Sequence, residues 1–275
     1  MEIRETLVKY GFRYKKSLGQ NFITDSALLK AIVKDAGIAK EDTVIEIGAG
    51  AGTLTREIAE AAGKVIAFEV DKDLKLVLQD VLSGAANVQT VFSDILKMSD
   101  SEVAAVAGGE FKVVANLPYY ITTPIIMRFI ESGLPIKSLT VMVQKEVAER
   151  LAAKESTPEY GAVTLAVRLR GDAKITRIVN RRLFYPQPNV DSAVIRIDID
   201  DNRYAFQDKN TLLKLIKAGF AMRRKTLVNN ISAAFSYSKE YARELLDSLG
   251  YDQNIRGEAL SIEDYIKIAD KIFTN

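Results

Sequence analysis

The segment Glu46-Ile47-Gly48-Ala49-Gly50-Ala51-Gly52 constrains the fold of this chain more than any other. It closes the apolar run Thr43 to Ile47, which has the length of a buried strand, and opens a helical period. Three glycines at alternate positions permit a sharp strand-to-helix reversal and let a ligand reach the backbone with no Cβ in the way. Beyond it the two periods keep alternating. Strands are expected at 64–69, 88–92, 111–115 and 138–144, with helices after Gly52, near 72–82 and near 123–132. A helix over 25–36, carrying Leu28, Leu29, Ile32, Val33 and Ala36 and stopped by Gly37, precedes the series. Strands separated by helices predict an α/β fold with a mostly parallel sheet covered on both faces. Two later runs, Ala162 to Leu169 and Ser192 to Ile199, lack a clear helix between them and are expected as an antiparallel pair at the sheet edge. After about residue 203 only helical periods remain, near 209–221, 224–235, 238–248 and 261–273. The expected division is therefore a catalytic domain over 1–203, with an N-terminal extension over 1–37, and a small all-helical domain over 204–275.

Composition removes several chemistries. The 275 residues contain no cysteine and no histidine, which excludes disulfides, thiolate nucleophiles, serine-histidine triads and ordinary zinc sites. No stretch reaches the roughly 20 apolar residues that span a bilayer, and the charged start, Met1 to Glu5, does not resemble a secretory signal, so a cytoplasmic protein with no membrane partner is expected. Net charge is only +2, yet Arg168 to Arg182 holds six basic residues (Arg168, Arg170, Lys174, Arg177, Arg181, Arg182) against Asp172 alone. Arg13, Lys15 and Lys16 form a second basic cluster and Arg223, Arg224 and Lys225 a third. Such runs serve either as solvated faces or as contacts to nucleic-acid phosphates.

Two acids stand at the ends of the following strands. Glu69 lies 21 residues beyond Gly48, where a carboxylate can accept from both hydroxyls of a cofactor ribose. Asp94 follows the third strand and can accept from an adenine amino group or cap the next turn. Together with the glycine loop they predict a nucleoside cofactor at the carboxyl ends of the strands. No Gly-Lys-Ser/Thr follows the loop, so a phosphate-gripping P-loop is excluded. A nicotinamide enzyme commonly needs a histidine or a Tyr-x-x-x-Lys pair to move a proton, and this chain has neither. S-adenosylmethionine (SAM) carries a sulfonium that is already a good leaving group, so it needs only alignment from the protein.

After the fourth strand comes Asn116-Leu117-Pro118-Tyr119. The N6 amine of adenine is a poor nucleophile because its lone pair is delocalised into the ring. The Asn116 side-chain carbonyl and the Leu117 backbone carbonyl can accept its two N–H bonds and so direct the lone pair at a methyl carbon. Pro118 fixes the turn, and Tyr119 offers a face for an extruded base. The alternative is a strand-ending turn with a packed tyrosine.

The chain resembles the KsgA-type small-subunit ribosomal RNA adenine dimethyltransferases over nearly its whole length. The resemblance rests on Ser17-Leu18-Gly19-Gln20-Asn21-Phe22, the Glu46 to Gly52 loop, Asn116-Leu117-Pro118-Tyr119-Tyr120-Ile121-Thr122-Thr123-Pro124, Phe184-Tyr185-Pro186-Gln187-Pro188-Asn189-Val190-Asp191-Ser192-Ala193, and Phe220-Ala221-Met222-Arg223-Arg224-Lys225-Thr226-Leu227. It implies a Rossmann-like SAM-dependent methyltransferase sheet with an antiparallel edge strand and a helical C-terminal RNA-recognition domain. It implies cofactor contacts at Gln20, Asn21, Ile23, Glu46, Gly48, Gly50, Gly52, Glu69, Asp94 and Asn116. Phe184 is implied as a second aromatic holding the base opposite Tyr119; without the resemblance its setting reads as a rigid core-edge loop. The implied product is N6,N6-dimethyladenosine at two adjacent adenines near the 3′ end of 16S RNA, made during ribosome biogenesis.

The small ribosomal subunit and its RNA are then the expected partners, contacted by Arg223, Arg224, Lys225, Arg181 and Arg182 along a groove between the helical domain and the sheet edge. No metal, protein partner or assembly beyond a monomer is called for. Rival readings are a macrolide-resistance type methyltransferase acting on 23S RNA, a non-catalytic nucleic-acid-binding relative, and a nicotinamide oxidoreductase. The Arg223 to Leu227 run and Pro124 look more like the small-subunit branch.

Overall fold

The structure, a computed structural model, describes residues 3–15 and 18–274. Lys16 of the N-terminal basic cluster and Ser17 of the Ser17 to Phe22 motif lie outside the described residues. The strands are β1 (Phe22–Ile23), β2 (Thr43–Ile47), β3 (Lys64–Phe68), β4 (Val88–Val91), β5 (Phe111–Asn116), β6 (Ile136–Gln144), β7 (Gly171–Val179), β8 (Phe184–Tyr185) and β9 (Ser192–Ile199). Seven of them form one sheet in the order β4-β3-β2-β5-β6-β9-β7, and β1 pairs with β8 in a separate two-stranded ladder. Pairing from β4 through β6 is parallel, and β9 runs antiparallel to β6.

The helices interleaved with these strands are α1 (Ile3–Lys9), α2 (Ser26–Asp35), α3 (Thr53–Ala61), α4 (Lys75–Val81), α5 (Asp100–Ala107), α6 (Thr122–Glu131), α7 (Lys145–Leu151) and α8 (Ala162–Arg170). Four more follow: α9 (Lys209–Ala221), α10 (Leu227–Phe235), α11 (Lys239–Ser248) and α12 (Ile262–Phe273). Local chemistry fixes several starts. Asp25 caps α2 by accepting from the Leu28 N–H, and Ser99 and Glu102 close a reciprocal capping box on α5. The inner strands are buried as continuous apolar runs, and leucines and isoleucines of α2 and α3 share a cluster with Val44, Val65 and Val114.

The chain lays β3 and β4 on one side of β2 and returns to place β5 and β6 on the other. Ile47 pairs with Ala115 at that reversal, so the loop after β2 and the loop after β5 leave the sheet side by side. Open α/β sheets bind ligands at such a point.

One expectation is corrected. Ala162 to Leu169 is not an edge strand but most of α8, while 192–199 is a strand as expected. Alternating apolar residues there match a strand period, but the buried positions Thr164, Leu165 and Val167 belong to a helix packed on α9 and α12. The Thr164 hydroxyl donates to the Arg150 carbonyl and accepts from the Gly161 N–H, which fixes the helix start. The edge strand is β7, drawn from the charged stretch whose sequence carries no strand period; charged side chains on an edge deter pairing with other chains.

The chain forms two compact units. One comprises Met1–Ala148 with Asp172–Ile199, the other Glu149–Gly171 with Asp200–Asn275. The expected division at 203 thus differs from these units by the segment 149–171 and by the four residues 200–203. Tyr160 explains the first difference: it is fully buried among α9 and α12 residues, and its hydroxyl donates to the Leu260 carbonyl. Among the described residues no helix is long and apolar enough to cross a membrane.

Candidate active site

A cavity opens over the carboxyl ends of β2, β3 and β5 within the first unit. The glycine loop forms its floor. Gly48 and Gly50 have φ of +75° and +58°, in the left-handed region, and the Gly48 and Ala49 N–H groups both donate to the Phe68 carbonyl. A Cβ on Gly50 would stand 3.0 Å from the Phe22 ring, so glycine lets the N-terminal segment close on the loop. Gly52 does not line the cavity; with φ +81° it is the N-cap of α3, packed against Leu78.

Glu46 and Glu69 both reach this space. The Glu46 carboxyl is buried beside Thr55, and its Oε2 has no hydrogen-bond partner among the described residues. Burial pushes its pKa up to about 8; the Thr55 hydroxyl works against that shift and the Glu69 charge adds to it. Glu69 accepts from the Gly50 N–H at 2.7 Å and from the Val70 and Asp71 N–H groups at 2.8 Å. Burial still holds its carboxyl above the usual range, against those three donors. Asp94 lines the same cavity and accepts from the Leu96 N–H at 3.0 Å, so it caps a turn with one oxygen, while the other meets only the exposed Lys97 ammonium at 3.9 Å.

The N-terminal segment supplies the opposite wall through Gln20, Asn21 and Ile23. The Gln20 amide donates to Asp71 at 2.8 Å and its carbonyl accepts from the Lys15 N–H. The Lys15 ammonium meets Asp71 at 2.5 Å and Asp73 at 2.6 Å. Burial works to raise the Asp71 carboxyl, but Lys15, Gln20 and the Asp73 N–H hold it below its ordinary value. Ile23 pairs with Phe184 in the β1–β8 ladder.

Asn116, Leu117, Pro118 and Tyr119 face the glycine loop across the cavity. The Asn116 NH2 donates to the Asn21 carbonyl at 2.9 Å, which leaves its Oδ1 as the side-chain acceptor. Leu117 is buried and its N–H is taken by the Met142 carbonyl, so the turn is tied to β6. The Pro118 carbonyl accepts from the Ile121 N–H and the Thr122 hydroxyl. Tyr119 is half-buried and its hydroxyl lies 2.7 Å from that of Ser192, the first residue of β9; burial raises the phenol pKa.

Phe184 is not brought to this cavity. It is 3% exposed, in a cluster with Ile23, Leu28 and Ile32, because the ladder to β1 turns it inward. The core-edge reading of its local sequence describes its surroundings. Phe22, Val70 and Tyr120 also line the cavity, although no chemistry in the sequence points to them. Ser192 is equally silent in the sequence; only its place in the Phe184 to Ala193 motif marks it.

The basic clusters divide by partner. Arg168 pairs with Glu155, Arg170 with Asp201, and Arg177 with Asp35. These three are structural ties. Arg181 and Arg182 are exposed, Arg181 also donating to the Asn189 carbonyl at 2.7 Å. In the second unit Arg223, Arg224 and Lys225 are exposed, and Arg223 reaches the Pro158 carbonyl and Glu258.

Comparison with known proteins adds to this geometry. Residues 11–273 match the family described as ribosomal RNA adenine dimethylase. The chain is 44% identical to ribosomal RNA small subunit methyltransferase A of Clostridioides difficile over 98% of this chain and 95% of that one. Its fold is similar to the crystal structure of a dimethyladenosine transferase from Plasmodium falciparum, with a TM-score of 0.77 and 25% identity over 90% of this chain and 95% of that one. It is also similar in fold to the 23S rRNA methyltransferase ErmE, with a TM-score of 0.70 and 24% identity over 92% and 99% of the two chains.

Proposed function

This chain belongs to the ribosomal RNA adenine dimethylase family, and we propose that the Asn116 to Tyr119 turn holds the target adenine while the glycine loop and its neighbours hold the cofactor. It is a SAM-dependent enzyme that dimethylates adenine N6 in 16S ribosomal RNA. Its substrate sites in this reading are two adjacent adenines near the 3′ end of that RNA. We place it in the cytoplasm, acting as a monomer on the small subunit.

The residues fit SAM. Glu46 presents a buried carboxyl with an oxygen unpartnered among the described residues, which suits the cofactor's ammonium. Glu69 would receive the ribose hydroxyls and the second oxygen of Asp94 the adenine amino group, with Gly48 and Gly50 admitting the ligand to the backbone. Gln20, Asn21 and Ile23 would close over it. When bound, SAM supplies an electrophilic methyl group on a sulfonium.

The observation that carries the reading is the Asn116 amide. Its NH2 is committed to Asn21, so Oδ1 is fixed as an acceptor beside the glycine loop. Oδ1 and the Leu117 carbonyl accept the two adenine N–H bonds and stabilise the charge that develops on nitrogen. Once the amine carries one methyl group only one N–H remains, and the site must accept the methyl in place of the other hydrogen. Tyr119, held through Ser192, presents its face to the extruded base. We assign base stacking to Tyr119 and give Phe184 the role of backing Ile23. Exposed Arg181, Arg182, Arg224 and Lys225 serve as phosphate contacts, with Arg223 at their side.

Transfer of labelled methyl groups to unmethylated small subunits and, in parallel, to unmethylated large-subunit RNA tests this. Dimethyladenosine in the small subunit alone, formed far more slowly by Asn116→Ala, is the expected result. Label in large-subunit RNA would move the activity to the resistance type.

A further inference from the structure

Phe22 and Phe68 line the cavity as buried side chains, whereas Tyr120 is an exposed aromatic there that the reaction leaves without a task. It is 58% exposed, lines the mouth, and follows directly on Tyr119 in a single 3-10 turn. An exposed tyrosine is ordinarily free to move, but this one is braced. A Cβ on Gly19 would stand 3.3 Å from its Cδ1 and 3.4 Å from its Cε1, so the ring lies against the glycine backbone. Gly19 has φ +58°, a conformation in which any side chain is strained as well as crowded. The turn beneath is closed by the Ile121 N–H donating to the Pro118 carbonyl. A large aromatic ring therefore rests against Gly19 yet stays open to solvent at the entrance to a site whose inner aromatic, Tyr119, is half-buried.

We propose that Tyr120 is a stacking platform for the nucleotide next to the one being methylated. The inference rests on the base-site reading of Tyr119. A base extruded toward Asn116 leaves its neighbour outside the mouth, stripped of one stacking partner. Single-stranded bases recover that stacking on aromatic faces, whatever their sequence, because every base has a π face. With adjacent adenines as substrate, the platform holds one while the other reacts, and then exchanges them. Tyr120 is thus a positioning residue acting on RNA, not on the cofactor.

The test uses the full chain as Tyr120→Ala, Tyr120→Leu and Tyr120→Phe. Three quantities are read for each: KM and kcat on unmethylated small subunits, the dissociation constant of SAM, and fluorescence quenching of a short single-stranded RNA carrying two adjacent 2-aminopurines. The alanine and leucine variants are expected to raise KM and weaken RNA binding about tenfold, with SAM affinity and the salt dependence of binding unchanged, while phenylalanine stays near wild type. Leucine separates stacking from mere bulk. Unchanged KM and RNA binding in Tyr120→Ala, or a parallel fall in SAM affinity, would overturn the proposal and make Tyr120 rim packing or cofactor wall. A wild-type protein that fails to methylate but binds the RNA through Tyr120 would sink the base-site chemistry and leave the platform standing.

Discussion

The Asn116 side-chain NH2 donates to the Asn21 backbone carbonyl at 2.9 Å, so a segment near the N-terminus orients the acceptor at the end of β5. Asn116→Ala removes that acceptor and is expected to lower kcat by about 10²–10³-fold, the range found when one preorganised polar group is deleted. Asn116→Asp should do at least as badly, because a carboxylate oxygen would face the Asn21 carbonyl where a donor now stands. Single-turnover rates at saturating SAM and RNA check both. Activity within a few fold of wild type in Asn116→Asp would show that the amide is not held as described.

Glu46 makes stability depend on pH. Its folded pKa is raised from 4.5 to about 8, so above pH 4.5 the unfolded chain gives up a proton that the folded protein keeps. Its contribution is therefore full below about pH 4.5 and is lost as pH rises through about 8. Glu46→Gln, which cannot ionise, should gain on wild type across that window and run parallel to it above. Tm against pH without cofactor is the measurement. SAM binding should shift the other way: an ammonium on Glu46 displaces a proton, so wild-type affinity rises toward pH 8, whereas Glu46→Gln binds weakly with a flatter profile.

Much of this site can be read from the sequence because glycine and strand-end acids sit at spacings that backbone geometry dictates. Gly48, Gly50, Glu69, Asp94 and Asn116 all line one cavity for that reason. Other positions depend on packing that no local period encodes. Leu165 is helical because it joins the cluster around Leu212 and Leu215, despite a strand-like alternation around it. The stretch after Arg170 reads as a charge cluster, yet it is an edge strand in which Arg177 is committed to Asp35. Phe184 turns inward through its pairing with Ile23, 161 residues earlier in the chain, and motif position alone does not show that.

Gly50 carries two constraints that a single methyl group tests. Its φ of +58° costs a non-glycine residue roughly 1–2 kcal/mol, and the new Cβ would press on Phe22 at 3.0 Å. Gly50→Ala is expected to lower Tm and weaken SAM binding about tenfold, since Phe22 and its segment must retreat. Adding Phe22→Leu should restore part of that affinity, giving a coupling of at least about 0.5 kcal/mol in a double-mutant cycle. Strict additivity would mean that the backbone strain alone is felt.

Arg223, Arg224 and Lys225 are exposed together but are not equivalent. Arg223 donates to the Pro158 carbonyl at 3.0 Å and meets Glu258 at 3.2 Å, whereas Arg224 and Lys225 form no ion pair among the described residues. If the latter two contact phosphates, reversing both to glutamate should weaken binding of small-subunit RNA and flatten its salt dependence. The log–log slope should fall by roughly 0.7–0.9 for each phosphate that is no longer neutralised. Methyl transfer at saturating RNA and low salt should survive, because neither residue touches the cavity. Arg223→Glu should also lower Tm, though modestly, since an exposed pair is worth at most about 1 kcal/mol and the new charge faces Glu258. A double reversal that leaves affinity and slope unchanged at physiological salt would remove this cluster from the RNA interface and leave Arg181 and Arg182 to carry it.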